Sequence, residues 1–295
     1  VADFTLGPVN PGSTSIYSTS NNLKVGSYSL GATLVSNSSP DFSNNIHIIG
    51  SYDVAPKSLT VTAGGLTKVY DGNATLSNLT LTPVGKVSAA DGVTVNGAGI
   101  YADKNVTASA NKSYTLSNLT LSGDDAANYV LTNGITSAAI STQSGSTGQI
   151  TPRTLTVYYT GVDRVYDGGT VATVTTTDDR VTGDSVSIAR TAAFGDKNVA
   201  YDVSNNVTSK TVSVTGVSLS GTDAANYSVA ATGTTTATLT PKLLTVVYTG
   251  VNKVYDGNTV GTVTTTDDRV SGDVLDINRT ASYADKRSEE RRVGK

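Results

Sequence analysis

The chain contains no cysteine, no methionine, no tryptophan and a single histidine. Without cysteine there is no disulfide framework and no thiolate chemistry. One histidine without cysteine builds no zinc site unless distant carboxylates join it. That residue, His47, sits in the apolar run Ile46-His47-Ile48-Ile49, where packing or a surface position is expected. The absence of methionine includes position 1, so a fragment or a processed chain is expected. No apolar run approaches the ~20 residues that span a bilayer. No signal peptide opens at Val1, so any export signal is expected upstream. Gly-x-Ser-x-Gly, P-loop and dinucleotide fingerprints are all missing, and no Ser-His-Asp arrangement recurs. A two-carboxylate site copied in tandem is not expected either, so the chain reads as a non-enzyme with no catalytic residues and no cofactor.

Glutamate is nearly missing too. Glu289 and Glu290 stand against 22 aspartates. Aspartate suits turns and caps, whereas glutamate tolerates helix interiors. Both glutamates fall in the last nine residues, RSEERRVGK (287–295), with four of the 21 basic residues. This tail departs from the pattern of everything before it and is expected to be non-native. Without it 17 basic and 22 acidic residues remain. A mildly acidic chain carries no electrostatic footprint for nucleic acid.

What is abundant is threonine (47), serine (33) and glycine (29). Threonine, valine and tyrosine suit pleated, half-buried surfaces. No amphipathic helix of useful length is found, and the expected class is all-β.

The chain is organised around Val-Tyr-Asp-Gly, which occurs at 69–72, 165–168 and 254–257, preceded by Lys68, Arg164 and Lys253. The joints Ala55-Pro56-Lys57, Thr151-Pro152-Arg153 and Thr240-Pro241-Lys242 are spaced by 96 and 89 residues. Long-period self-similarity of this kind defines modules. They are expected at 57–151, 152–240 and 241–286, the last cut at half length, with 1–56 as the end of a preceding module. Ninety-odd residues is the size of a small β-sandwich. The expectation is a row of Ig-like-sized sandwiches forming an elongated rod, because a Pro-basic joint is short and stiff. A β-grasp module, marked by a helix of ten or more residues, is the alternative.

In the second module Leu155, Val157 and Tyr159 alternate with Thr156, Tyr158 and Thr160, the period of a strand. Further strands are expected at 170–175, 185–193, 210–219, 226–231 and 234–240. In the third, Leu244, Val246 and Tyr248 form the inward set.

Tyr-Asp-Gly reads as a turn: glycine takes positive φ, aspartate bonds its own downstream backbone, and the tyrosine hydroxyl reaches a partner. Asp125-Ala-Ala-Asn-Tyr129 and Asp223-Ala-Ala-Asn-Tyr227 read as a single helical turn, capped by Asp and closed by Asn in the left-handed region. Asp178, Asp179 and Asp184, with their twins Asp267, Asp268 and Asp273, are candidate calcium ligands, since calcium takes six to eight oxygens. A solvated loop is the competing reading of the same residues. Nine Asn-x-Ser/Thr sequons are present, too few above chance to argue glycosylation.

Taken in order, basic-Val-Tyr-Asp-Gly, Asp-Lys-Asn-Val, Leu-Ser-Gly-x-Asp-Ala-Ala-Asn-Tyr and Thr-Pro-basic resemble the YDG-type repeat modules of large bacterial exoproteins, including filamentous-haemagglutinin-like adhesins exported by two-partner secretion. The resemblance covers about residues 57–286. It implies an extracellular, cell-surface location, an outer-membrane transporter as export partner, and a stalk or adhesive role that spaces a binding region from the cell. The alternative function is recognition of a host glycan or surface protein by the repeats themselves, with Tyr158 and Tyr201 as a candidate aromatic platform.

Overall fold

The computed structural model describes residues 16–29, 41 and 50–284. His47, Asn37, Asp285, Lys286 and the 287–295 tail lie outside the described residues. Among the described residues the protein is all-β. Helix is confined to short 3-10 segments such as Ala126–Asn128 and Ala224–Asn226, and none reaches ten residues. No helix among them is long and apolar enough to cross a membrane. Two compact units form: Val1–Thr154 with Val181–Asp184 and Thr222–Ser228, and the remainder.

In the first unit β1 (Gly26–Ser29) pairs antiparallel with β2 (Ser51–Val54). The first repeat then builds two sheets. β3 (Lys57–Gly64) lies between β5 (Thr80–Val84), antiparallel, and β8 (Tyr129–Leu131), parallel. The second sheet runs β4 (Thr67–Val69), β9 (Gln143–Thr151), β7 (Lys112–Ser122), β6 (Thr94–Tyr101). The chain changes sheets between β3 and β4 at Gly65, whose φ is +67° and whose Cβ would lie 1.8 Å from the Asn78 carbonyl oxygen. No other residue fits there.

Alternation fills the interior. Leu59 and Val61 of β3, Tyr101 of β6, Tyr114 and Leu116 of β7, Leu131 of β8 and Ile150 of β9 are all buried. On β7 the inward set then switches parity, from Leu116 to Leu119. The switch falls at a β-bulge, where the register against β6 shifts between Asn96 and Ala98 and Asn118 takes φ 53°. An extra residue moves the following side chains to the other face.

The second repeat has the same order. β10 (Arg153–Leu155) pairs with β17 (Tyr227–Val229), and β11 (Val157–Val162) is antiparallel to β13 (Thr173–Asp178). The larger sheet runs β12 (Arg164–Val165), β18 (Gly233–Thr240), β16 (Val207–Ser220), β14 (Ser187–Phe194), with β15 (Ala200–Tyr201) also on β16. Its core joins Val174, Phe194, Val212, Val214, Val217 and Ala237, with Tyr159 packed against it. The bulge returns: Val214 gives way to Val217 around Gly216, opposite the register shift at Ala189/Thr191. The strands expected in this repeat are thus found within a few residues, and Leu155 is buried where Tyr158 is exposed.

The third repeat contributes β19 (Val246–Val251), β20 (Val260–Asp267) and β21 (Ala281–Ser282) in that order. Here the inward set fails at Tyr248, which is 53% exposed, because no second sheet covers β19 among the described residues. Described strand pairing stays inside a repeat. Pro152 separates β9 from β10, and Pro241 follows β18, positions where a missing N–H breaks no ladder.

Candidate functional site, a shared carboxylate cluster

The Tyr-Asp-Gly turns form as their chemistry dictates. Gly72, Gly168 and Gly257 take φ of 84°, 83° and 77°. Asp71, Asp167 and Asp256 each accept a hydrogen bond from the backbone N–H two residues on, at 3.1, 2.9 and 3.1 Å. The preceding cation closes the turn: Lys68 on Asp71, Arg164 on Asp167, Lys253 on Asp256. The backbone N–H of Tyr70 extends the β4–β9 pairing onto Thr151, 2.9 Å away.

The tyrosine hydroxyl finds a partner 114 residues away. Tyr70 Oη donates to Asp184 Oδ2 at 2.8 Å, and Tyr227 Oη donates to the same oxygen at 2.6 Å. The other oxygen, Oδ1, takes Lys104 Nζ at 2.8 Å. Lys104 also reaches Asp223 at 3.2 Å and lies 5.7 Å from the centre of the Tyr70 ring. The two tyrosine rings meet edge to face, with centroids 5.4 Å apart. All of these residues belong to the first unit.

The Asp184 side chain is only 2% exposed. A carboxylate so deep is costly unless it is paired and hydrogen-bonded. Here one lysine and two tyrosines do both. Burial pushes the Asp184 carboxyl up, but the Lys104, Tyr227 and Tyr70 hydrogen bonds outweigh it and hold the group below the usual aspartate range. Burial and the Asp184 hydrogen bond push the Tyr227 phenol up to about 12. Lys104 is driven above its ordinary value by Asp184 and then by Tyr70. The group is therefore a fixed anion, held by three side-chain donors.

Lys104 is placed by the Asp-Lys-Asn-Val motif. Asp103 accepts the Asn105 backbone N–H at 2.7 Å and is gripped by the buried Lys112 at 2.7 Å, which turns Lys104 outward. Two residues later the Val106 N–H donates to Asn226 Oδ1 at 2.9 Å. The Asp-Ala-Ala-Asn-Tyr segment thus presents two groups to the first repeat, Asp223 to Lys104 and Asn226 to Val106, while Tyr227 holds Asp184 of its own repeat.

Two further sets repeat the scheme. In the second unit Tyr166 Oη donates to Asp273 Oδ2 at 2.7 Å, and Lys197 Nζ to Asp273 Oδ1 at 2.6 Å. Asp196 is again held by a lysine, Lys210, at 2.7 Å. Upstream, in the first unit, Asp91 accepts from Tyr129 and Ser20, while Asn128 Oδ1 accepts the Val25 N–H at 2.9 Å.

Several expectations change. Asp125 and Asp223 make no side-chain cap to their 3-10 turns, and Asn128 and Asn226 do not take positive φ. Their polar groups serve a neighbouring repeat instead. The six candidate calcium ligands do not converge. Asp178 pairs with Arg180 and Asp267 with Arg269; Asp268 holds Lys242 and the Thr245 N–H; Asp179 accepts the Thr156 N–H. Asp184 and Asp273 are held as described. Among the described residues no group of three or more metal-ligating side chains assembles. Tyr158 and Tyr201 are 60% and 48% exposed, but they stand on different sheets and no ring contact joins them. The Tyr–Lys–Asp cluster was not foreseen. The recurrence of Gly-Asp at 183–184 and 272–273 was its only signal.

Fold and cluster define an all-β tandem-repeat protein whose recurrent motifs bind one another. The chain belongs to the YDG-domain family, whose model matches residues 55–138 and again 151–237. No curated protein and no solved structure matches. The match corrects the resemblance drawn above: it is to the YDG domain as such and lends no support to repeats of the filamentous-haemagglutinin-like type.

Proposed function

We propose that this chain is a structural spacer, a row of β-sandwich modules in an elongated array that holds a binding region away from the cell surface. The observation that supports it is the recurrence of one cluster. Tyrosine and lysine from one repeat and aspartate from the next meet at both Asp184 and Asp273. Those positions carry the repeat-to-repeat motifs, and each carboxylate holds a lysine and a tyrosine. The proposed location is outside a bacterial cell; digestion of the protein by protease added to intact cells tests it. Small-angle scattering tests the spacer role. A globular protein of this length has a radius of gyration of about 19 Å. The array requires a substantially larger value, and a particle at the globular value contradicts it.

Two binding roles would show in separate experiments. The YDG name is shared with the SRA domain, known for binding methylated DNA. Phosphate contacts need unpaired cations, whereas Lys104, Lys112, Lys197 and Lys210 each hold an aspartate. The net charge is −3. No mobility shift of a methylated duplex is expected. Recognition of a glycan by the repeats would use the exposed Tyr158, and binding on a glycan array abolished by Tyr158→Ala would favour it.

A further inference from the structure

The two Tyr–Lys–Asp clusters are not equally complete. Around Asp184 the Asp-Ala-Ala-Asn-Tyr segment closes the arrangement, and Asp184 is 2% exposed. Around Asp273 the tyrosine and lysine are in place, but the carboxylate is 24% exposed. Asp184 has three side-chain donors and Asp273 has two. Beside Asp273 lies a cavity of about 420 Å³, lined among others by Tyr166, Lys197, Val199, Lys242, Leu244 and Asp273. All of these residues belong to the second unit.

The first unit supplies the template for what fits. There Lys104 pairs with Asp223, the Val106 N–H with Asn226, and Asp184 with Tyr227. Lys197, Val199 and Asp273 occupy the corresponding places in Asp-Lys-Asn-Val and Gly-Asp. The template includes backbone pairing. β10 (Arg153–Leu155) pairs with β17, which begins at Tyr227, and β3 pairs in parallel with β8 from Lys57↔Tyr129 to Leu59↔Leu131. The corresponding stretch 242–244 forms no strand, and Leu243 is 86% exposed.

We propose that this cavity and the 242–244 edge form a receptor for an Asp-Ala-Ala-Asn-Tyr turn followed by a short strand, a segment of the 223–229 pattern. The carboxylate goes to Lys197, the carboxamide to the Val199 backbone, the phenol to Asp273, and the strand adds in parallel to 242–244. Strand addition supplies backbone hydrogen bonds, and the three polar groups supply specificity. The site therefore takes its own kind. The inference rests on the cluster geometry rather than on the spacer role, so an elongated particle without peptide binding removes this proposal alone.

The test titrates a synthetic peptide of residues 218–231 into the isotopically labelled full chain and follows the backbone amides by NMR. Saturable shifts at Val199 and 242–244, with none at Val106, are expected below about 1 mM peptide, the affinity of a weak specific contact. Peptides carrying Asp223→Ala or Asn226→Ala are expected to bind at least ~10-fold more weakly, a loss of ~1.4 kcal/mol each. Lys197→Ala in the chain is expected to do the same for the unmodified peptide. The peptide variants leave the chain unaltered, so a folding defect cannot mimic the result. Absence of shifts up to about 1 mM, shifts confined to other residues, or equal binding by the variant peptides overturns the proposal.

Discussion

Replacing Asp184 with asparagine removes one charge from the most enclosed carboxylate of the cluster. Asparagine is nearly isosteric, so packing against Tyr70 and Tyr227 is retained and the change is electrostatic. The amide offers one acceptor oxygen where the carboxylate offered two, and its NH₂ is turned toward donors. Three hydrogen bonds are affected, from Tyr70, Tyr227 and Lys104, at 2.8, 2.6 and 2.8 Å. Breaking a buried pair by removing one partner costs ~3–5 kcal/mol. Lys104 moderates this: its side chain is 37% exposed and keeps Asp223 at 3.2 Å. The expected loss is therefore at the lower end, about 3 kcal/mol. For a unit of this size each kcal/mol moves Tm by ~2–4 °C, so the transition of the first unit should fall by about 6–12 °C. Differential scanning calorimetry on the full chain reads it. Asp273→Asn is the internal control: with two donors and a quarter-exposed carboxylate, it should shift the second unit by clearly less. A loss below about 0.5 kcal/mol, the size of an ordinary surface substitution, would show that the cluster does not hold the structure. Equal losses at both positions would refute the argument from burial.

The turn glycines give a second series. Gly72→Ala meets Val181 Cγ1 at 2.5 Å and also strains a φ of +84°, whereas Gly257→Ala, at +77°, meets nothing within 4 Å. Gly257→Ala should cost only the backbone term of ~1–2 kcal/mol, and Gly72→Ala a further ~1–3 kcal/mol for overpacking, read as the difference between two urea midpoints. Acidity acts through Asp184. Its folded pKa is lowered, so its contribution is full above the unfolded value of about 3.9 and is lost as pH falls through the folded one. Tm should therefore drop below about pH 4 in the wild type, and less steeply in Asp184→Asn. Tyr227, at about 12 when folded, works at the other end: its contribution is present below about pH 10 and lost as pH rises toward the folded value. Calcium at millimolar concentration should leave both transitions unmoved, because Asp178, Asp267 and Asp268 already hold Arg180, Arg269 and Lys242. A rise in Tm on adding calcium would show that those pairs open.

Much of the fold was legible because its signals are local. Alternation places Leu155 inward and Tyr158 outward, and a Tyr-Asp-Gly turn follows from the needs of glycine and aspartate within three residues. What period-2 reading missed was the parity switch from Leu116 to Leu119, since a bulge shows only where two strands are paired. The cluster was illegible for a different reason. Tyr70 and Asp184 are 114 residues apart, and each stands in a motif that reads plausibly by itself, one as a turn and the other as an acidic loop. The Asp-Ala-Ala-Asn-Tyr segment misled in the same way. Aspartate before Ala-Ala is what a helix cap looks like, and nothing local shows that Lys104 claims it. Motifs that recur at the period of a module, yet bury polar groups with no local partner, should be tested first against the next repeat.

A double-mutant cycle on Tyr70 and Asp184 addresses the central claim, that the tyrosine of one repeat exists to hold the aspartate of the next. Stabilities of the wild type, Tyr70→Phe, Asp184→Asn and the double variant are measured by urea denaturation. A hydrogen bond to a charged group is worth ~1.5–3 kcal/mol, so a coupling energy of at least about 1 kcal/mol is predicted. Additive losses, with coupling within ~0.3 kcal/mol of zero, would mean that the two side chains do not depend on each other.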